Sequence, residues 1–326
     1  MSAGPIVLAW DNWTPPARTP WGGRAIAELK ARLPIEPARR AWPAVGESWE
    51  LSVDPAFPSR VAATGALLSE VIAADPAAWL GAAAARRGET STPLLVKLID
   101  AAAPLSVQVH PRDDDPALAS GESGKPECWV VLAAAPEAGI WLGFEPGVTR
   151  ADVVMALDRG ASLTPLLHFV RVRPGDAFTI PPGTVHAIGA GVTLLEAQLV
   201  RPGRTGVTYR FWDWERGRTL HRERALAVAE VAPYEAHAPT PELLARDGAL
   251  VHERVLAFAH MTLERASGAG RLVLPDVDAL RAVVATSDLE LAGVRLLRGQ
   301  TAAVPAACRA VELVLPPGGE AWIVHA

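Results

Sequence analysis

Between Gly175 and His186 the chain reads GDAFTIPPGTVH: a glycine, five residues, Pro181, one residue, Gly183, two residues and a histidine. That punctuation leaves the backbone few choices. Gly175 with Asp176 turns the chain, AFTI has the composition of a strand, Pro181-Pro182-Gly183 makes a rigid corner, and His186 falls on the next strand. Similar short runs rich in Val, Leu and Ile recur as PLLVKLID, LSVQVH, CWVVLAA, GIWLGF, LLHFVRVRPGD, VTLLEAQLV and GVTYRFWDW, each bounded by Gly, Pro or Asp. Many short strands joined by turns are the signature of a β-sandwich or barrel.

Helical signals are confined to a few places. The alanine-rich stretch of about 63–87 predicts a helical pair broken at Asp75-Pro76, and TRADVVMALDRG predicts a short helix with Thr149 as its N-cap. After Trp214 the charged ERGRTLHRERALAVAEV and the proline-bearing APYEAHAPTPE suit a helix followed by a linker, and LVHERVLAFAHMTLERASG, LRAVVATSD and EAWIVHA return to strand character. The expected fold is therefore mainly β, with a barrel and helical insertions in residues 1–226 and a second, smaller C-terminal β-sandwich in residues 227–326. A chain of 326 residues is long enough for two such units.

Composition removes several classes of partner. A net charge of −5 supplies no global positive field to hold nucleic acid through its phosphates. The first residues lack the basic and apolar regions of a signal peptide, and no run reaches the roughly 18 apolar residues of a membrane span. Cys128 and Cys308 stand far apart without metal-ligand spacing, which argues against a disulfide framework and for a reducing cytoplasm. The 11 tryptophans are read as packing. No long heptad or isolated apolar helix marks an interface, so a monomer or weak homo-oligomer is expected.

The Gly175–His186 spacing resembles the second half-motif of the cupin, or jelly-roll, β-barrel. The usual first half-motif carries His-x-His and a later glutamate; here LSVQVHP offers Gln108 and His110, which a strand places on one face, with Ser106 two residues earlier. GKPECWVVL sets Lys125 and Glu127 two apart at the start of another strand. Collected, Gln108, His110, Glu127 and His186 form a nitrogen and oxygen set that suits zinc and other divalent metals. One carboxylate against a dication leaves about +1 to stabilise an alkoxide or enediolate. The competing expectation is a set of unrelated polar core residues.

Five segments in order resemble the type I mannose-6-phosphate isomerases (phosphomannose isomerases) of the shorter bacterial form: GESWELS from Gly46, PLLVKLIDAAAPLSVQVHP from Pro93, GKPECWVVL from Gly124, IPPGTVHAIGAG from Ile180 and TYRFWDW from Thr208. The resemblance implies a zinc-dependent aldose–ketose isomerase interconverting mannose 6-phosphate and fructose 6-phosphate through a cis-enediol, with one zinc per chain on Gln108, His110, Glu127 and His186. It also implies active-site places for Arg210, Lys125 and Glu196. Either Glu196 or Lys125 could move the proton; a pairing of Glu196 with Arg210 across neighbouring strands, or a solvated Lys125, would be the structural alternatives.

A sugar phosphate needs cationic or hydroxyl donors away from the metal, for which Lys97, Arg201, Arg204, Arg216 and Ser106 are available, with Ser106 and an arginine of the 201–204 loop preferred. This chain departs from the family where AQLVRPGRTGVTYR replaces a QQSSD-like acidic segment, and the asparagine that commonly closes the cupin half-motif is replaced by Ala190. The added arginines put the identity of the sugar in question more than the reaction. A related sugar-phosphate isomerase or epimerase, or a metal-bearing sugar sensor without turnover, are the competing functions.

Overall fold

The computed structural model describes residues 4–234 and 240–326; residues 235–239, within the expected linker, lie outside them. In chain order the strands are β1 (Ile6–Val7), β2 (Glu47–Leu51), β3 (Leu94–Ala101), β4 (Val107–Val109), β5 (Glu122–Ser123), β6 (Glu127–Ala134), β7 (Gly139–Phe144), β8 (Leu167–Arg171), β9 (Ala177–Ile180), β10 (His186–Ile188), β11 (Val192–Leu199), β12 (Thr205–Gly206) and β13 (Tyr209–Trp212). There follow β14 (Glu242–Asp247), β15 (Leu250–Phe258), β16 (Met261–Val273), β17 (Arg281–Ala285), β18 (Leu289–Leu291), β19 (Val294–Leu296), β20 (Thr301–Val304) and β21 (Glu312–His325).

Two five-stranded sheets, in the orders β2-β3-β11-β6-β9 and β13-β4-β10-β7-β8, form the barrel. Their inner faces meet where Ile99, Trp129 and Leu194 of the first sheet pack with Ile140, Leu142 and Ile188 of the second. A third sheet, β1-β20-β17-β21-β16-β15-β14, covers the outside of the first, so that Val96, Leu98, Val130 and Leu195 share a core with Leu263, Val284 and Trp322. Strand β3 is consequently buried at every position, Lys97 and Asp100 included. Helices Arg150–Asp158 and Arg222–Val228 close the outside of the second sheet through Val153, Leu157 and Ala225 against Val107, Val109 and Phe211.

The sequence reading of the helices is largely reproduced. Thr149 caps Arg150–Asp158 in a reciprocal arrangement, accepting from Asp152 N at 3.3 Å while Asp152 accepts from Thr149 N at 2.9 Å. The expected pair within 63–87 is instead three helices, Leu68–Ala74, Pro76–Leu80 and Ala82–Arg86, because Gly81 adds a second break. Gly81 has φ of +92°, and a Cβ there would lie 2.3 Å from Asp278 O, so only glycine lets Asp278 of the β16–β17 connection reach the N–H groups of Ala82 and Ala83.

The third sheet also crosses the expected 226/227 division, since Ile6 and Val7 of β1 pair with Ala303 and Ala302 of β20. No helix among the described residues is long and apolar enough to cross a membrane. The layering carries a measurable consequence. Leu98, with 0% exposure between barrel and third sheet, should cost about 2–5 kcal/mol when replaced by Ala, as read from chemical denaturation. Leu243→Ala, at a position 55% exposed, should stay within about 0.5 kcal/mol of the parent.

Candidate active site

The site follows from strand alternation. On β3, β6 and β11 the alternate set Val96, Cys128, Val130 and Ala197 faces the third sheet, which leaves Lys97, Glu127, Trp129, Glu196 and Gln198 on the barrel side. Cross-strand register then assembles rows: Trp49 opposes Lys97, Lys97 opposes Glu196, Glu196 opposes Trp129, and Gln198 opposes Glu127. In the facing sheet Arg210 opposes Gln108 and Gln108 opposes His186. The two sets of rows enclose a cavity of about 380 Å³.

His110, Glu127 and His186 bring one ligand atom each within 4.8 Å of one another. Each imidazole is held by its Nδ1–H, which donates to Val207 O from His110 and to Thr184 O from His186, both at 2.9 Å. A backbone carbonyl only accepts, so the proton sits on Nδ1 and each Nε2 offers a lone pair to the site. Burial, with the Lys125 charge, lowers the pKa of His110; burial, with the His110 charge, pushes His186 down to about 3. Both rings are neutral near pH 7.

Glu127 is 0% exposed. Burial alone would raise its pKa, but Lys125 and the neighbouring histidines outweigh that and hold it well below the usual carboxylate range. Its Oε1 accepts from Gln198 Nε2 at 2.6 Å and stands 3.1 Å from Lys125 Nζ. His110 Nε2 lies 3.2 Å from the same oxygen, and His186 Nε2 lies 3.8 Å from Oε2, yet His110 Nε2 and Glu127 Oε2 are buried without a hydrogen-bond partner. Lone pairs turned toward one another with no proton between them are what a bound cation resolves. The donor set fits a borderline divalent ion such as zinc, with Gln108, whose amide lies 3.3 Å from His186 Nε2, as the further oxygen donor once its Oε1 turns inward. The thiol of Cys128 faces the other side of the sheet and is free and buried.

Beside this cluster, Glu196 accepts from Trp129 Nε1 at 3.0 Å and lies 3.7 Å from Lys97 Nζ. Burial and the charge of Glu127 push its pKa up to about 8 against the opposing lysines. Lys97 stays cationic because Glu47 and then Glu196 and Glu127 overcome its burial; with Glu47 contributing most, Glu196 can take up a proton near neutrality without discharging the lysine. Lys97 Nζ also lies 4.3 Å over the Trp49 ring.

Lys97, Ser106, Lys125 and Arg210 all line the cavity, whereas Arg201 and Arg204 do not. Their loop turns outward: Arg201 pairs with Asp113 at 3.1 Å and Arg204 donates to Glu122 O. Arg216, which binds Asp213 and Pro104 O, does not line the cavity, whereas Arg218, which also pairs with Asp213, does. Lys125 is 8% exposed and binds Glu127 and Thr208, so it is no solvated turn residue. Glu196 and Arg210 form no ion pair among the described residues, because β11 and β13 lie in different sheets. The cavity guanidinium groups are instead Arg18, Arg210 and Arg218. Sequence reasoning missed Arg18, Arg218, Gln198, Glu47 and Trp49. For the last three the period-two spacing in GESWELS and LEAQ was the available signal.

Two facing sheets around a histidine and carboxylate cluster define a cupin-like barrel with a candidate three-residue metal site. Residues 17–138 match the model of the phosphomannose isomerase type I catalytic domain. ManA, a mannose-6-phosphate isomerase of Bacillus subtilis strain 168, is 40% identical over 146 residues, 43% of this chain and 44% of its own length. The matches cover from 42% to 65% of the curated relatives' lengths. A crystal structure of the Bacillus subtilis mannose 6-phosphate isomerase aligns with TM-score 0.81 at 23% identity, covering 99% of this chain and 100% of that one. A mannose 6-phosphate isomerase bound with zinc and yttrium aligns with TM-score 0.72 at 17% identity, over 100% and 99% of the two chains. The similarity to the type I phosphomannose isomerase catalytic domain is thus carried by residues 17–138.

The raised proton affinity of Glu196 has a thermodynamic signature. Its folded pKa of about 8 lies above the ordinary 4.5, so the stability from its protonated form is whole below about pH 4.5 and is lost as pH rises through about 8. In chelator-treated protein, Glu196→Gln should gain about 1 kcal/mol or more relative to the parent between pH 6 and pH 9. Parallel stability curves for the two would contradict this.

Proposed function

We propose that the chain is an aldose–ketose isomerase that interconverts mannose 6-phosphate and fructose 6-phosphate with one zinc ion held by His110, Glu127, His186 and Gln108. The observation that carries the reading is the pair of unpartnered buried atoms, His110 Nε2 and Glu127 Oε2, in a cluster whose Glu127 and His186 line a cavity together with Glu196, Lys97 and Arg210. The zinc-bound structural relative supports the choice of metal, although the same donors also accept manganese, iron or cobalt. When bound, the metal supplies a Lewis acid for the substrate's oxygens.

The rest of the chemistry belongs to the chain. Moving a proton between C2 and C1 of the open-chain sugar through a cis-enediol needs a group that both accepts and returns it near neutral pH, and Glu196 with its pKa near 8 has that property. Lys125, bound to Glu127 and Thr208, is better suited to hold the carboxylate and a substrate oxygen. Arg210, whose Nε is buried without a partner, presents its guanidinium to the developing oxyanion. The phosphate goes to the cavity cations, with Arg18 and Arg218 taking the part expected of Arg201 and Arg204, and Lys97 and Ser106 lining the sugar's path.

In this reading residues 1–226 form the catalytic unit and 227–326 its support, and the enzyme works in the cytoplasm as a monomer or weak oligomer. The concentration of three arginines favours a phosphorylated substrate, which keeps a related sugar-phosphate isomerase or epimerase as the second reading.

A coupled assay of mannose 6-phosphate conversion decides between them. Activity should fall more than about a hundredfold after EDTA and return with zinc, and Arg210→Ala should lower kcat by about a hundredfold with zinc content unchanged. A zinc-replete, folded protein without turnover of mannose 6-phosphate would overturn the assignment, and a panel of other sugar phosphates would then test the second reading.

A further inference from the structure

The sequence contains only three lysines among its 31 basic residues, and all three are buried. Lys97 and Lys125 line the cavity; Lys30, 0% exposed, lies on the other side of β2 and has no part in the site described so far. Its ammonium has three protons and the fold uses each: Trp10 O accepts at 2.9 Å, Ser48 Oγ at 3.0 Å and Glu50 Oε1 at 2.6 Å. Glu50 is 3% exposed, and its second oxygen accepts from Thr301 Oγ1 of β20 at 2.6 Å. The third sheet closes directly on this network, since a Cβ at Gly299 would fall 2.8 Å from Lys30 Cγ.

The network sits where β2 is irregular. Trp49 opposes Lys97 on β3, but the next opposed pair is Leu51 with Val96, so Glu50 is the extra residue of a bulge. Bulges beside active sites re-aim the side chains around them. Here Trp49 and Glu47 stand on the cavity side and embrace Lys97, at 4.3 Å from the ring and 4.0 Å from Glu47 Oε2. On its other edge β2 is held by the 12–14 segment, through Trp49 N to Asn12 O and Thr14 N to Glu47 O. A fully bonded buried ion pair gains little stability over an apolar pair of the same volume, and its best-attested use is to fix one register among several.

We propose that Lys30, Glu50 and Thr301 are positioning residues: through them the third sheet locks the β2 bulge and so holds Trp49 and Glu47 against Lys97, beside Glu196. The inference rests on the isomerase reading for its kinetic consequence, while its structural consequence can be read without turnover. With only three lysines, acetylation by acetic anhydride followed by peptide mass spectrometry reports each one separately.

The test compares the full-length, zinc-loaded parent with Thr301→Val, which keeps the volume and removes the hydroxyl, and with Thr301→Ser, which restores it. In Thr301→Val, Lys97 should acetylate about tenfold faster with Lys125 little changed, and kcat should fall about tenfold with KM within about threefold. Thr301→Ser should return both to near the parent. A Thr301→Val protein with a lower melting temperature but the parent's Lys97 labelling and kcat would overturn the proposal by making the network structural only. Should Thr301→Val not fold, Lys30→Met with Glu50→Leu replaces the pair by apolar groups; faster Lys97 labelling supports the proposal and unchanged labelling refutes it. If the parent does not isomerise mannose 6-phosphate, the isomerase reading falls, and Lys97 labelling alone decides whether the network positions the wall.

Discussion

An ionised carboxylate with no exposure to water is the constraint from which the barrel interior follows. Taking a carboxylate such as Glu127 out of water costs several kcal/mol unless charge and hydrogen bonds replace the solvent. Gln198 and Lys125 do this for one oxygen. The other oxygen is left to face histidines that cannot help it as proton donors, because each ring has committed its proton to a backbone carbonyl. Compensation is thus complete on one side and withheld on the other. The same charge reaches Glu196 and raises its proton affinity, so the His110–Glu127–His186 cluster and Glu196 are electrostatically one system.

The layering makes this arrangement possible. Barrel interiors that hold charges need rigid walls, and the first sheet gains rigidity by being packed on both faces, with Leu98 and Val130 against the third sheet and Trp129 and Leu194 toward the second. The third sheet brings no side chain to the cavity lining. Its contribution is mechanical, and β1 ties it to the N-terminal segment by adding an edge strand beside β20.

Much of the site could be read from the letters because strands alternate. Gln108 with His110, and Lys125 with Glu127, are two apart, and the turn at Pro181–Gly183 delivers His186, so the residues that gather in this cluster were visible without coordinates. What escaped depends on distant packing. Arg18 and Arg218 come from segments about 200 residues apart and meet only because the sheets close over one cavity. The outward course of the 201–204 loop is set by Asp113 and Glu122, and the break at Gly81 by Asp278. Neither partner is marked in the local sequence. The bulge at Glu50 likewise shows no turn residue; the partners that sustain it are Lys30 and Thr301.

Neutral imidazoles beside a buried, ionised carboxylate should take up a cation. Anomalous diffraction at the zinc edge, on crystals of the zinc-loaded protein, tests it most directly. A single strong peak at bonding distance from His110 Nε2, His186 Nε2 and a Glu127 oxygen is predicted. A peak elsewhere, or none in the barrel with zinc present in excess, would contradict the account and return these residues to the role of an unusually costly polar core.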